Sequence, residues 1–84
     1  MPITRRQFDL GVDSALEGTM RKIHRYLHAH RDEAFCSSEL AELLRLTEPD
    51  VREAVETLED IGALDTRRVE STFYHAYLAE IPDL

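Results

Sequence analysis

The sequence contains very little cysteine and glycine, and it lacks tryptophan. Its 84 residues include one cysteine, Cys36, three glycines and no tryptophan. A single cysteine forms no disulfide within the chain and has no second thiol for a zinc or redox pair, so a reducing compartment suits it. Three scattered glycines provide no glycine-rich phosphate loop. We therefore expect one hydrophobic core to stabilise the fold without disulfides or a cofactor, and a partner subunit could add to that stability.

Long apolar runs are also missing. No stretch approaches the roughly 18 continuous apolar residues that cross a membrane, and the first residues lack the apolar run of a secretory signal. The sequence therefore predicts a soluble, cytoplasmic protein with no membrane partner. The length suits one domain with one modest core, because a second core would be too small to stand alone.

Positive charge is scarce. Ten basic side chains against 17 acidic ones give a formal net charge of −7. This excess opposes any general attraction to the phosphate backbone of DNA, although it does not exclude binding by a locally basic surface.

The first third of the chain predicts an arm followed by a helix. Phe8, Leu10 and Val12 alternate, which favours a short extended arm over residues 1–12. After a capping residue at 13 or 14, apolar residues recur at i, i+4, i+7 and i+11, which predicts helix 1 to about residue 31. This stripe is formed by Leu16, Met20, Ile23 and Leu27.

The middle third predicts two more helices. A brief apolar stretch at residues 34–36 precedes Ser37 and Ser38, either of which offers an N-cap for a short helix 2. Thr47 combines with Pro49 and Asp50 in a strong start for helix 3, and Gly62 is a typical stop signal. The expected buried face of helix 3 consists of Val51, Ala54, Val55, Leu58 and Ile61.

The last third predicts a β-hairpin and a tail. Residues 64–69 and 72–78 are rich in β-forming residues, and residues 70 and 71 form a tight connection between them. Residues 79–84 show no clear period and are predicted to be irregular, with Ile81 and Leu84 able to pack against the body.

Helix, short strand, helix, turn, helix and hairpin is the order of the winged helix-turn-helix superfamily. Residues 37–62, SSELAELLRLTEPDVREAVETLEDIG, resemble its helix-turn-helix unit, and LEDIGAL at residues 58–64 is similar to its passage from recognition helix to wing. The resemblance implies an α+β, mainly helical domain over residues 13–78. It also implies transcriptional regulation by a dimer, with helix 3 in the DNA major groove and the hairpin beside the backbone.

Helix 3 departs from that pattern in its charge. If its apolar residues face inward, the helical period turns Pro49, Arg52, Glu53, Glu56 and Asp60 outward. Residues 37–62 hold eight acids and two bases, a net charge of −6. Nearly all of the negative excess therefore lies on the unit that would meet DNA, which favours these five residues as a protein-binding surface. An equally simple interpretation is that the acids only keep a surface helix soluble.

A few basic residues support the DNA interpretation. Arg67 and Arg68 lie near the hairpin tip, where a wing reaches phosphates or the minor groove, and strand alternation exposes at least one of them. The ordinary alternative is that they form only weak surface pairs with Asp65 and Glu70. Arg5 and Arg6 resemble a short basic arm, although with only two charges we favour an ordinary flexible, soluble chain terminus. Together with Arg52 they form the nucleic-acid-binding set that the alternative function requires.

Other residues with reactive or metal-binding side chains also have ordinary structural interpretations. His24 and His28 have the spacing of two metal ligands on one helix, but no third ligand accompanies them, so we favour two flanking surface histidines and no metal. For Cys36 we favour a buried structural thiol over a redox sensor. No grouping of serine, histidine and aspartate suggests a nucleophile, and we expect no enzymatic activity.

Two functions follow. The first is a small non-catalytic module that binds a protein, or itself, through the acidic face of helix 3. The second is a dimeric DNA-binding regulator that uses the wing arginines. The outer face of helix 1 carries Arg21, Lys22 and Arg25, and we favour an ordinary solvated helix face there; the alternative is a basic patch that complements the acidic one between molecules, in self-association or with a mixed-charge partner. Apolar residues that belong to no helical stripe suggest a homodimer.

Overall fold

Three helices precede a two-stranded antiparallel hairpin. A computed structural model of the chain describes residues 5, 11 and 14–81. In this range the elements follow one another as α1 (Ser14–Ala29), α2 (Ser37–Leu44), α3 (Glu48–Asp60), β1 (Leu64–Val69) and β2 (Thr72–Tyr77). The predicted α+β, mainly helical class is confirmed, and the layout is consistent with a winged-helix arrangement.

The core lies where the three helices and the base of the hairpin meet. The helical stripes predicted for α1 and α3 supply most of it, because each places its apolar residues on one face. The fully buried larger side chains are Met20, Ile23, Leu27, Leu40, Val51, Leu58 and Leu64. Tyr77 and Ile81 pack partly buried against this cluster, so the predicted packing of Ile81 on the body is confirmed.

Local signals set the ends of α2 and α3. The Thr47 hydroxyl accepts a hydrogen bond from the Asp50 amide at 3.3 Å, as predicted for the start of α3. At α2 the predicted serine caps are wrong by one residue. Cys36 is the N-cap, because the Glu39 carboxylate accepts from its backbone amide at 3.0 Å. Gly62 has φ +80°, which suits the turn from α3 into β1.

The hairpin register follows from its two-residue turn. Leu64 pairs with Tyr77 at the base, Val69 pairs with Thr72 at the tip, and residues 70 and 71 connect them. Phe35 forms an isolated antiparallel bridge with His75, so the predicted short strand at residues 34–36 consists of one bridging residue. The second strand ends at Tyr77 and not at Leu78 as predicted. Leu78 is instead 56% exposed, and its amide donates to the Ala63 carbonyl just before β1.

The first helix is slightly shorter than predicted. Helix α1 ends at Ala29, two residues before the predicted end, because Leu27 is its last buried residue and nothing apolar continues the stripe. Phe8, Leu10 and Val12, on which the predicted extended arm depends, lie outside the described residues, as does Leu84. Among the helices that are described, none has the length and hydrophobicity to cross a membrane.

Candidate functional site

The outward face of α3 has the composition that the helical period predicted. Pro49, Arg52, Glu53, Glu56 and Asp60 are all exposed, while the opposite face of the helix is buried in the core. The core therefore holds α3 firmly and presents these five side chains to solvent together. What they bind stays a prediction.

The one base on this face is engaged by an acid of its own helix. The Arg52 guanidinium lies 2.6 Å from the Glu48 carboxylate, one turn earlier. Such an exposed pair contributes little to stability, yet it partly neutralises the only outward cation of α3. Within the described residues, Glu53, Glu56 and Asp60 form no ion pair. The face therefore presents uncompensated negative charge.

The hairpin tip presents the opposite charge. Arg67 donates from Nε to the Asp65 carboxylate at 3.2 Å, yet its side chain is 80% exposed. Arg68 is exposed opposite Phe73, on the other face of the sheet, and forms no ion pair with any described residue. The prediction that at least one of the two arginines is exposed is confirmed, and the same geometry prevents one flat surface from using both.

His75 fixes the base of the hairpin to the helices. Its ring is buried, and both ring nitrogens lie near hydroxyls: Nδ1 is 2.9 Å from Thr66 Oγ1, and Nε2 is 3.2 Å from Ser37 Oγ. Its backbone amide and carbonyl both bond to Phe35. His75 thereby connects its own strand β2 to β1, to Phe35 and to the start of α2.

The buried position of His75 changes its acidity. Burial lowers the pKa of the His75 imidazole from its ordinary value, and the negative charge of Glu59 opposes that shift. A neutral ring suits the geometry, because it donates through one nitrogen and accepts through the other. The pairing of Thr66 with His75 can be predicted from the sequence, because a two-residue turn sets the register of the hairpin. The Ser37 contact is long-range and gave no sequence signal.

The basic residues of α1 border a shallow apolar groove that the sequence did not reveal. Arg21 is paired with Glu17 at 3.0 Å, whereas Lys22 and Arg25 are exposed and form no ion pair with described residues. The groove lies between α1 and the end of α2, and its lining residues are Gly18, Arg21, Lys22, Arg25, Tyr26, Ala29 and Leu44.

Of the two α1 histidines that we expected at the surface, His28 is exposed and His24 is not. His24 is buried, and its Nε2 lies 2.8 Å from the Ala79 carbonyl, a contact that attaches the tail to α1. Its ring and that of the exposed His28 both pack against Tyr77. The correction arises because the tail returns over α1, which helical periodicity does not report. No cluster of three or more metal-ligating side chains occurs within the described part of the chain.

Two other predicted positions need adjustment. Cys36 is half-buried and not fully buried, because it caps α2 at the surface, where its Sγ lies 3.1 Å from Ser38 Oγ. Arg5 is exposed and helical, which contradicts an extended arm at that residue. Arg6 lies outside the described residues.

Comparison with known proteins adds no functional information. No protein-family model matches the chain, and no curated protein shows significant similarity to it. The function is therefore argued from the geometry and charge of the surfaces described above.

Proposed function

We propose that this chain is a non-catalytic, cytoplasmic winged-helix regulatory module that binds a basic protein surface through the outward face of α3. One observation carries the proposal: Glu53, Glu56 and Asp60 stand exposed on a helix that the core holds in place, while the single outward base is paired with Glu48. A partner needs only a complementary row of lysines or arginines to use that face.

Electrostatics favours a protein over DNA for this surface. A helix that enters the major groove approaches phosphates on both sides, and it ordinarily pairs its base contacts with several phosphate-neutralising side chains. The three carboxylates of α3, which form no ion pair with any described residue, would instead repel those phosphates. Facing a basic protein surface, the same carboxylates speed association and set the binding register.

Charge reversal at two central positions tests the proposal. The chain is immobilised, its partners in extract of the source cells are identified by mass spectrometry, and the dissociation constant of the purified partner is measured. We expect the double variant E53K/E56K to weaken binding at least tenfold, which corresponds to about 1.4 kcal/mol.

A matched control separates this surface from net charge. The variant D32K/E33K changes the net charge by the same amount at two exposed residues of the loop after α1. We expect it to bind like the wild type. Equal loss in both variants, or no loss in E53K/E56K, would refute the assignment of the α3 face.

DNA binding is the second candidate, and the hairpin tip favours it, because Arg67 is 80% exposed and Arg68 has no ion-pair partner among the described residues. Fluorescence anisotropy with a mixed-sequence duplex, at low and near-physiological salt, measures it. Non-specific DNA binders reach dissociation constants of about 10⁻⁴ to 10⁻⁶ M at physiological salt.

Two further variants locate any DNA contact. On this candidate function R67A/R68A weakens binding and flattens its dependence on salt, while R21A/R25A, which removes the same charge from α1, does not. Absence of binding even at low salt eliminates the DNA function.

A further inference from the structure

The outer surface of α1 carries a regular basic stripe. Gly18, Lys22, Arg25 and Ala29 are all exposed and follow one another at intervals of four, three and four residues, which keeps them on one face of the helix. The two cations are central and unpaired within the described chain, and a small residue lies at either end. Beside them the half-buried Tyr26 and Leu44 line the apolar groove. Such a face suits close approach by an acidic helix.

The outward face of α3 repeats this spacing with the opposite charge. Pro49, Glu53, Glu56 and Asp60 are also exposed at intervals of four, three and four. When the two stripes are laid against each other, each central carboxylate meets a central cation. Because the series of intervals is the same in both directions, this match holds for parallel and antiparallel helices.

The two stripes occupy different flanks of the molecule, so they do not meet within one chain. Toward α3, α1 presents Ala15, Leu16 and Thr19, which line a cleft with Asp50 and Glu53. The groove beside the basic stripe opens instead between α1 and α2. One copy can therefore offer its acidic stripe to one neighbour and its basic stripe to another.

We propose that the partner of the acidic α3 face is the basic α1 stripe of a second copy of this chain. The proposal rests on the proposed function, since it uses the same face of α3. The contact joins two different surfaces, so it is head-to-tail and adds copies in open chains or rings, unlike a two-fold dimer. The small residues Gly18 and Ala29 let the two helix backbones approach, and the carboxylates pair with Lys22 and Arg25.

The mass of the wild-type chain gives the first test. Sedimentation velocity and light scattering are measured from about 10 μM to about 1 mM protein, the range of weak contacts. We expect the average mass to rise with concentration beyond that of a dimer at low salt. It should return to that of a monomer near 1 M salt, where the screening length is only about 3 Å. A monomer throughout overturns the proposal.

Neutral variants identify the surfaces. K22Q/R25Q removes the charge of the basic stripe and keeps the acidic one, and E53Q/E56Q does the reverse. We expect each variant alone to stay monomeric and an equimolar mixture to form a dimer of one copy of each. The fourfold reversal K22E/R25E/E53K/E56K exchanges the two charges and should again associate with itself. Circular dichroism checks that every variant is folded.

The outcomes separate this inference from the proposed function. Self-association that survives in both neutral variants, or a mixture that stays monomeric, overturns the head-to-tail contact. A wild-type monomer whose capture of a different protein is lost in E53K/E56K also overturns it but leaves the proposed function standing. Self-association lost in E53Q/E56Q and retained in a D32N/E33N control supports both.

Discussion

The core holds helix α3 and the hairpin differently. Along α3, Val51, Ala54 and Leu58 are fully buried, so the helix is fixed over its whole length. The hairpin is fixed only at its base, while Val69 and Phe73 near its tip are 55% and 59% exposed. The outer face of α3 is therefore a surface backed by the core along its length, which we call the platform. The hairpin tip extends away from the core, and we call it the projection.

Their charges differ as well. The platform presents the carboxylates of Glu53, Glu56 and Asp60, and the projection presents the guanidinium groups of Arg67 and Arg68. Packing constrains only the inner face of α3, so its outer face is free to carry any charge. In this chain the outer face carries three carboxylates and one paired arginine.

The largest expected effect contrasts one apolar side chain from each region. We expect Leu58→Ala in α3 to reduce the free energy of unfolding by about 2–5 kcal/mol, because it empties a fully buried site. Phe73→Ala at the tip should cost less than about 1 kcal/mol, because the ring is mostly in solvent. Urea denaturation measures both. Similar losses in the two variants would mean that the tip is packed as firmly as the helix.

The second prediction concerns the base of the hairpin. Because the pKa of folded His75 is lowered, the unfolded chain takes up the proton more readily, so the stabilisation is present above the ordinary pKa near 6.5 and is lost as pH falls below it. Thermal unfolding between about pH 7.5 and pH 5 should show a larger loss for the wild type than for His75→Gln. Parallel pH profiles would contradict the role of the buried ring.

The third prediction tests how the platform begins. Thr47→Ala removes the hydroxyl that caps α3 and should cost about 1 kcal/mol. Thr57→Ala makes the same chemical change three residues before the end of α3, where the hydroxyl donates to the Glu53 carbonyl, and should be nearly neutral or slightly stabilising. Chemical denaturation measures the free energy of unfolding of both variants. Equal losses would show that the Thr47 hydroxyl does not stabilise α3 as an N-cap.

The smallest effect lies at the hairpin turn. Glu70 has φ +60°, a conformation that glycine adopts without the steric cost paid by other residues. Glu70→Gly should therefore raise the free energy of unfolding by up to about 1 kcal/mol. The neighbouring change Ser71→Gly, at a residue without positive φ, should not stabilise the chain. A Glu70→Gly variant that is less stable than the wild type would indicate that the glutamate side chain stabilises the turn.

Patterns in the sequence are sufficient to predict the elements and the two faces of α3. The cap at Thr47, the stop at Gly62 and the helical period are local signals, so together they predict which side chains of α3 turn outward. The two-residue turn likewise sets the pairing of Thr66 with His75. The sequence predicts the ends of helices and strands less well where tertiary contacts set them. The end of α1 at Ala29 and the end of β2 before Leu78 are the two examples.

The chain order and the periodicity thus determined the fold class, the acidic face and the exposed arginines of the hairpin, because each depends on residues a few positions apart. Only the tertiary structure decided which contacts join distant segments: Ser37 on the ring of His75, Ala79 on His24, and Leu44 beside the basic stripe of α1. These contacts depend on how helices and tail pack in three dimensions, and spacing along a single helix or strand carries no record of them.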